Sequence, residues 1–326
     1  MSQTGEKLPA SEAFPHPLIA RFAGDLAQLW PEGGKLGLAV SGGPDSLALL
    51  LLAEAVAPGR IEVATVDHGL RPESADEADM VAQICAENRL RHETLKVTVP
   101  SGNVQDAARG VRYNALADWA TRRGLDAVAT AHHADDQAET LLMRLNRASG
   151  VAGLAGVRAR GKIPGIDIPV LRPLLGWRRA ELVEIVEAAG LQAVDDPSNA
   201  DPRFDRVRMR QALKECDWLD VRALAASANH LADAEVVIQW AAQREWQEHV
   251  TVSEDAIRYR PAAPAAVIMR VAGRAIAMVA GGNIRFGNVA RLVQQLAAGK
   301  SGTLGGVMAS SDDGEWIFRK EPPRRT

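Results

Sequence analysis

The chain has 326 residues, more than one hydrophobic core usually serves, so two domains are expected. Its composition is 47% hydrophobic and 24% charged with a formal net charge of −3, the N-terminal stretch 1–7 has no apolar core, and no apolar run is long enough to span a bilayer, so a soluble cytoplasmic protein without a membrane partner is expected. Two cysteines, Cys85 and Cys216, stand apart from any Cys-x-x-Cys pair, which excludes a disulfide framework and a zinc ribbon.

Phe14 to Trp30 carries apolar residues at helical spacing and is expected to cover the first strand. That strand, Leu36 to Val40, lacks polar alternation, as does a strand buried on both faces of a parallel sheet. It runs into Ser41-Gly42-Gly43-Pro44-Asp45-Ser46 and then into an apolar helix from Leu47. Gly42 and Gly43 open backbone conformations closed to other residues, and Pro44 stands where a first helical turn has no use for an N–H. The remaining N–H groups and the hydroxyls of Ser41 and Ser46 face outward at the positive end of a helix, a concavity that binds phosphate. Two commoner phosphate signatures fail: Gly299-Lys300-Ser301 imitates the end of Walker A but has Gln294 where the first glycine belongs, and Gly-x-Gly-x-x-Gly is absent from the first strand-to-helix turn. Residues 41–46 instead resemble the PP-loop of the ATP pyrophosphatase superfamily, which implies ATP binding by Ser41, Gly42, Gly43, Pro44, Asp45 and Ser46.

Arg60 to Asp67 reads as a second strand, and its tail at Asp67-His68-Gly69 should lie near the phosphate loop, because ligands of open parallel sheets gather at the carboxyl ends of strands. Glu73 to Asp79 open a helix through Asn88 with a solvated acidic first turn. His92 to Val99 is a third strand, and the helix Val104 to Arg123 puts Arg109, Arg112 and Tyr113 on one face. A fourth strand, Leu125 to Ala131, delivers His132, His133, Asp135, Asp136 and Glu139 to the same sheet edge. Asp135 and Asp136 suit a cap and first helical turn, with Glu139 on the face of Asp136. A metal site of His132, His133 and Asp136 is disfavoured, since neighbouring residues of a strand tail point apart.

Gly150 to Gly156 reads as a mobile glycine-punctuated loop, Ile168 to Leu175 as a strand carrying Arg172, and Arg178 to Ala189 as a helix closed by Gly190. Arg203, Arg206, Arg208 and Arg210 then spread positive charge around a helix start, a pattern read as gripping phosphates rather than as an ion-paired stripe. Beyond Cys216 strand signals fade, leaving helices over 219–248, 262–280 and 286–298 and a closing β-hairpin around Asp312-Asp313-Gly314. The expected architecture is α/β: a doubly wound, mainly parallel, Rossmann-like PP-loop domain over 1–216, and a mainly helical domain with a terminal β-hairpin over 217–326.

Several phrases stand in register: 41–46, 66–74, Ala108-Arg-Gly-Val-Arg-Tyr113, Ala131-His-His-Ala-Asp-Asp-Gln-Ala-Glu-Thr140, Arg172-Pro-Leu-Leu175 and Asp196-Pro-Ser-Asn199. In this order they resemble the tRNA(Ile)-lysidine synthetase family over the first two-thirds of the chain. The resemblance implies an enzyme that uses ATP and free L-lysine to convert the wobble cytidine of the CAU anticodon of tRNA(Ile) to lysidine. Within that reading the domain over 1–216 is catalytic, Asp45 serves the ATP step with Mg²⁺, Arg109 and Arg112 stabilise phosphate charge, Asp136 and Glu139 position lysine and accept protons, and Arg203, Arg206, Arg208 and Arg210 bind tRNA together with the domain over 217–326. The chain departs from the family where Val207 replaces a customary asparagine, and a second small C-terminal domain found in longer members is not expected. The alternatives are a PP-loop tRNA thiolase, for which neither cysteine is suitably placed, and a non-catalytic ATP-binding regulatory module.

Overall fold

A computed structural model describes residues 15–69, 73–98, 104–163, 166–194, 203, 205–282 and 286–322. In chain order the elements are α1 (His16–Leu29), β1 (Leu36–Ala39), α2 (Pro44–Val56), β2 (Ile61–Asp67), α3 (Glu73–Glu87), β3 (Arg91–Lys96), α4 (Val104–Arg123), β4 (Ala127–Ala129), α5 (Ala134–Leu145), α6 (Val151–Leu154), β5 (Arg160–Ile163), β6 (Ile166–Leu171), α7 (Arg179–Ala188) and α8 (Asp205–Glu215). There follow α9 (Val221–His249), β7 (Val250–Val252), β8 (Ile257–Tyr259), α10 (Ala265–Ala280), α11 (Phe286–Ala297), β9 (Gly302–Leu304), β10 (Val307–Asp312) and β11 (Glu315–Lys320). Two compact units, Met1–Ala232 and Asp233–Thr326, divide the chain within α9.

The sheet of the first unit has the order β3-β2-β1-β4-β6-β5 among the described residues, parallel except for the β5 edge. After β1 the chain moves outward through β2 and β3, then returns to lay β4 on the other side of β1. Connections leave β1 and β4 in opposite directions, so their carboxyl ends border a crevice, the usual ligand position in a doubly wound sheet. Leu36 and Leu38 of β1 are fully buried, and residues 46–53 of α2 are buried almost all round. A helix apolar on every side suits a position covered on every side. Phe22 and Leu26 of α1 and Leu182, Ile185 and Val186 of α7 belong to the same core. On a second cluster Trp119 and Leu116 of α4 pack with Leu95 and Val128. Gly37 makes that packing possible, because a Cβ there would lie 2.6 Å from Cζ3 of Trp119.

Three expectations change here. Residues 151–154 of the presumed mobile loop form the short helix α6, and Gln137 fixes its exit by exchanging hydrogen bonds with the Val157 backbone at 2.7 and 2.8 Å. The edge strand β5 is not among the expected strands, and it pairs antiparallel to β6. β6 itself stops at Leu171, so Arg172 leaves the strand at the start of a turn.

The second unit packs α10 and α11 on an antiparallel sheet of order β7-β8-β11-β10-β9, with Tyr259, Val271, Ile276, Leu292, Leu296 and Phe318 in its core. The expected hairpin is β10–β11, and Asp313 and Gly314 between them both have positive φ, as a two-residue I′ turn requires. The unit is mainly helical as expected, and to the expected hairpin it adds β7, β8 and β9, three-residue strands too short to show a period of two.

Candidate active site

The phosphate loop forms as its residues dictate. Gly43 is the extended N-cap of α2, Pro44 occupies its first turn, and Gly42 takes φ +85°, a conformation that favours glycine. The Ser46 hydroxyl donates to the Gly43 carbonyl at 3.0 Å and accepts from the Ser41 N–H at 3.1 Å, which ties the loop to the helix. Gly42 in turn accepts from the Val194 N–H at 2.9 Å. Asp45, in the first turn, has Oδ1 buried without a hydrogen-bond partner, with Arg179 Nε at 3.9 Å.

Across the crevice β4 ends in two histidines that turn to different partners. His132 Nδ1 lies 3.0 Å from the Thr130 hydroxyl, and burial, opposed by Asp136, pushes its imidazole down to about 3, so it is neutral. His133 Nε2 lies 3.5 Å from Asp45 and 3.6 Å from Asp136, and Nδ1 lies 3.7 Å from Asp135. Burial alone would depress His133, but these carboxylates hold it up at about 10, so it is a buried imidazolium.

The carboxylates after β4 divide their work. Asp135 accepts from the Arg179 N–H at 2.8 Å and from the Arg178 guanidinium at 3.2 Å, so it anchors the start of α7. Although burial opposes it, His133 and Arg178 hold its carboxyl well below the usual range. Asp136 accepts from the His133 N–H at 3.1 Å and from Arg206 Nη2 at 3.1 Å. Glu139, only 1% exposed, takes Arg206 Nε on one oxygen and Arg210 Nε on the other, both at 2.8 Å.

This corrects the reading of the α8 arginines as unpaired phosphate grips. Arg206 and Arg210 stand four residues apart, share a face, and pair with the carboxylates of α5, while Arg208 turns outward to Asp205. Arg203 is exposed, and the Asp196–Asn199 phrase lies outside the described residues. Asp136 and Glu139, the carboxylates expected to position lysine, are therefore already paired with arginines.

Between the two strand ends lies a cavity of about 530 Å³, the size of a small-molecule site, lined by Ser41, Gly43, Asp45, Ser46, His68, Arg112, His132, Asp136 and Arg206 among others. Arg112 is brought to it by α4, whereas Arg109 lies on the exposed side of Tyr113 at 5.1 Å from its ring centroid. The Asp67 carboxylate at the end of β2 accepts from Ser74 Oγ at 2.7 Å and from the Gly69 N–H at 2.8 Å, and these bonds hold it below its ordinary range. His133 was not assigned a role from sequence. Its signal was position alone, one residue past His132 at a strand end. The set can bind an oxyanion at the loop, neutralise charge with Arg112, and present a carboxylate beside it.

A PP-loop domain family matches residues 19–216. The tRNA(Ile)-lysidine synthase of Novosphingobium aromaticivorans is 46% identical over 100% of this chain and 98% of its own length. That of Zymomonas mobilis is 41% identical over 90% of this chain and 91% of its own length. Among solved structures, the U34-tRNA thiolase NcsA of Methanococcus maripaludis with its iron–sulfur cluster superposes with a TM-score of 0.54 at 16% identity, covering 66% of this chain and 78% of that one, a likeness of fold.

Proposed function

Because the chain belongs to the tRNA(Ile)-lysidine synthase family, we propose that it ligates lysine to C2 of the wobble cytidine in the CAU anticodon of tRNA(Ile), using ATP and releasing AMP and pyrophosphate. One observation carries the chemistry: a phosphate loop and a carboxylate–arginine cluster face each other across one cavity at the switch point of the sheet.

Cytosine O2 is a poor leaving group, so a nitrogen nucleophile displaces it only after activation. Attack of O2 on the α-phosphorus of ATP forms the adenylate and expels pyrophosphate, whose charge falls to the N–H groups and hydroxyls of the Ser41–Ser46 loop. Arg112 on the cavity wall stabilises the developing charge, whereas Arg109 does not line that cavity. Mg²⁺ suits this site, since the buried Asp45 Oδ1 lacks a hydrogen-bond partner. No group of three His, Cys, Asp or Glu side chains among the described residues could hold a metal, so the ion would share its oxygens with the nucleotide and offset phosphate charge.

The lysine ε-amine then attacks C2 and AMP leaves. Asp136, the carboxylate on the cavity wall, meets the ammonium and accepts its proton. Glu139 is covered by Arg206 and Arg210 and acts through them, fixing the Arg206 guanidinium against Asp136. Arg208 and Arg203, both exposed, face tRNA phosphates. Against the thiolase reading, burial pushes the Cys85 thiol up to about 12, which makes it a poor nucleophile, and Cys216 follows the end of α8 and does not line the cavity.

The test is incubation with ATP, labelled lysine and tRNA(Ile) bearing CAU, followed by nucleoside analysis. Labelled lysidine is expected. ATP binding without pyrophosphate release on any tRNA would return the chain to a regulatory module.

A further inference from the structure

Arg109, Arg112 and Arg172 converge on one phenol. Arg172 Nη2 lies 3.4 Å and Arg109 Nη2 3.5 Å from the Tyr113 oxygen, and the Arg112 guanidinium lies 5.8 Å from the ring centroid. No carboxylate pairs with any of the three among the described residues, in contrast to Arg178, Arg206 and Arg210, each of which has at least one. Like charges this close repel, so the arrangement calls for an anion that the described protein does not provide.

The groups are also held ready. Arg172 is 8% exposed, its Nη1 donates to the Arg158 carbonyl at 2.7 Å, and Gly161 passes so near that a Cβ would lie 3.1 Å from Nη1. Its Nε is buried without a partner. Guanidinium groups only donate, so the Tyr113 oxygen accepts from both arginines and its own proton is left for another acceptor. Burial would raise the Tyr113 hydroxyl, yet Arg172 and Arg109 carry it below its ordinary value.

We propose that Arg172, Tyr113 and Arg109 form a subsite for a phosphodiester oxyanion of the tRNA anticodon loop, separate from the loop that holds the phosphates of ATP. It rests on the lysidine reading, in which a cytidine flanked by two backbone phosphates must enter this sheet edge. Arg172 sits just past the end of β6, the neighbour of β4, so a phosphate there lies beside the strand end that carries Asp136. Arg112 lines the nucleotide cavity whereas Arg109, Tyr113 and Arg172 do not, which sets the subsite outside the wall around ATP.

The test uses the full chain and the variants Arg172→Gln, Arg172→Lys and Tyr113→Phe, with tRNA(Ile) affinity measured over a potassium chloride series and ATP affinity measured without tRNA. Arg172→Gln should weaken tRNA binding about tenfold at low salt and reduce the slope of log affinity against log salt by roughly 0.7–0.9, the share of one phosphate contact. Arg172→Lys should restore the slope without the full affinity, since it keeps the charge and loses the fork. Tyr113→Phe, which keeps the ring, should cost a few-fold in tRNA affinity with no change of slope, and it decides the matter if Arg172→Gln does not fold. ATP affinity should move less than about twofold in all three. Weakened ATP binding with an unchanged salt slope would assign the cluster to ATP, and folded variants with neither readout altered would leave it as packing. Either outcome overturns the subsite while wild-type lysidine formation stands, whereas a wild-type chain that forms no lysidine would remove both readings.

Discussion

Asp45 and His133 face each other across the crevice with Oδ2 3.5 Å from Nε2, joining the first turn of α2 to the end of β4. The imidazolium lies 3.5 Å from Asp45 and 3.6 Å from Asp136, so one buried positive charge stands between the carboxylates proposed for the ATP step and for the lysine step. It also leaves Asp45 Oδ1 to a ligand.

Asp45→Ala should abolish tRNA-dependent pyrophosphate release by at least about a hundredfold, the scale of losing one charge-stabilising group, while circular dichroism and melting stay close to wild type. A folded variant that still releases pyrophosphate would remove Asp45 from the ATP step. His133→Gln should lower the rate as well, because Asp45 and Asp136 lose the positive charge between them.

Glu139→Gln keeps the shape of the side chain and removes its charge, so Arg206 loses its fixed position against Asp136. Lysine use should weaken more than ATP binding, and adenylated tRNA should accumulate in single-turnover reactions at low lysine. An early block in adenylation that high lysine does not relieve would show that these carboxylates act on ATP instead.

Arg208, whose side chain is exposed and paired with an exposed Asp205, is placed to meet a backbone phosphate. Arg208→Gln should reduce the salt slope of tRNA binding by roughly 0.7–0.9 with turnover at saturating tRNA little changed. Arg206→Gln should mainly disturb the lysine step, because its guanidinium is tied to Asp136 and Glu139. Equal salt slopes for wild type and Arg208→Gln would move the tRNA surface off α8.

Cys85 supplies a pH test away from the site. Burial, with Glu54 adding to it, keeps the folded thiol protonated up to about 12, against 9.0 for an ordinary thiol. Between these values the unfolded chain has lost the proton and the folded chain has not, so this thiol lowers stability as pH rises from 9 toward 12. Cys85→Ala, destabilised by a cavity at every pH, should lose stability less steeply over that window in urea titrations. It should also form lysidine, which a sulfur carrier could not.

Much of this protein is legible in residues 36–46 and 125–140 alone. A strand without polar alternation, glycines where the backbone turns, and Pro44 at a helix start are local rules, and they determine the phosphate loop whatever surrounds it. The Asp313-Gly314 turn follows in the same way from backbone preference. The pairing of side chains across elements is a different matter. Whether Glu139 meets a lysine ammonium or two arginines depends on where α8 lies against α5, and periodicity within α8 says only that Arg206 and Arg210 share a face. The three-residue strands of the second unit escaped for a related reason, since their hydrogen-bond partners, not their own patterns, make them strands. Most decisively, the charge of His133 is a property of three carboxylates, its own neighbours Asp135 and Asp136 and the distant Asp45 that only the fold brings to it, and a buried histidine without them would be neutral, as His132 is.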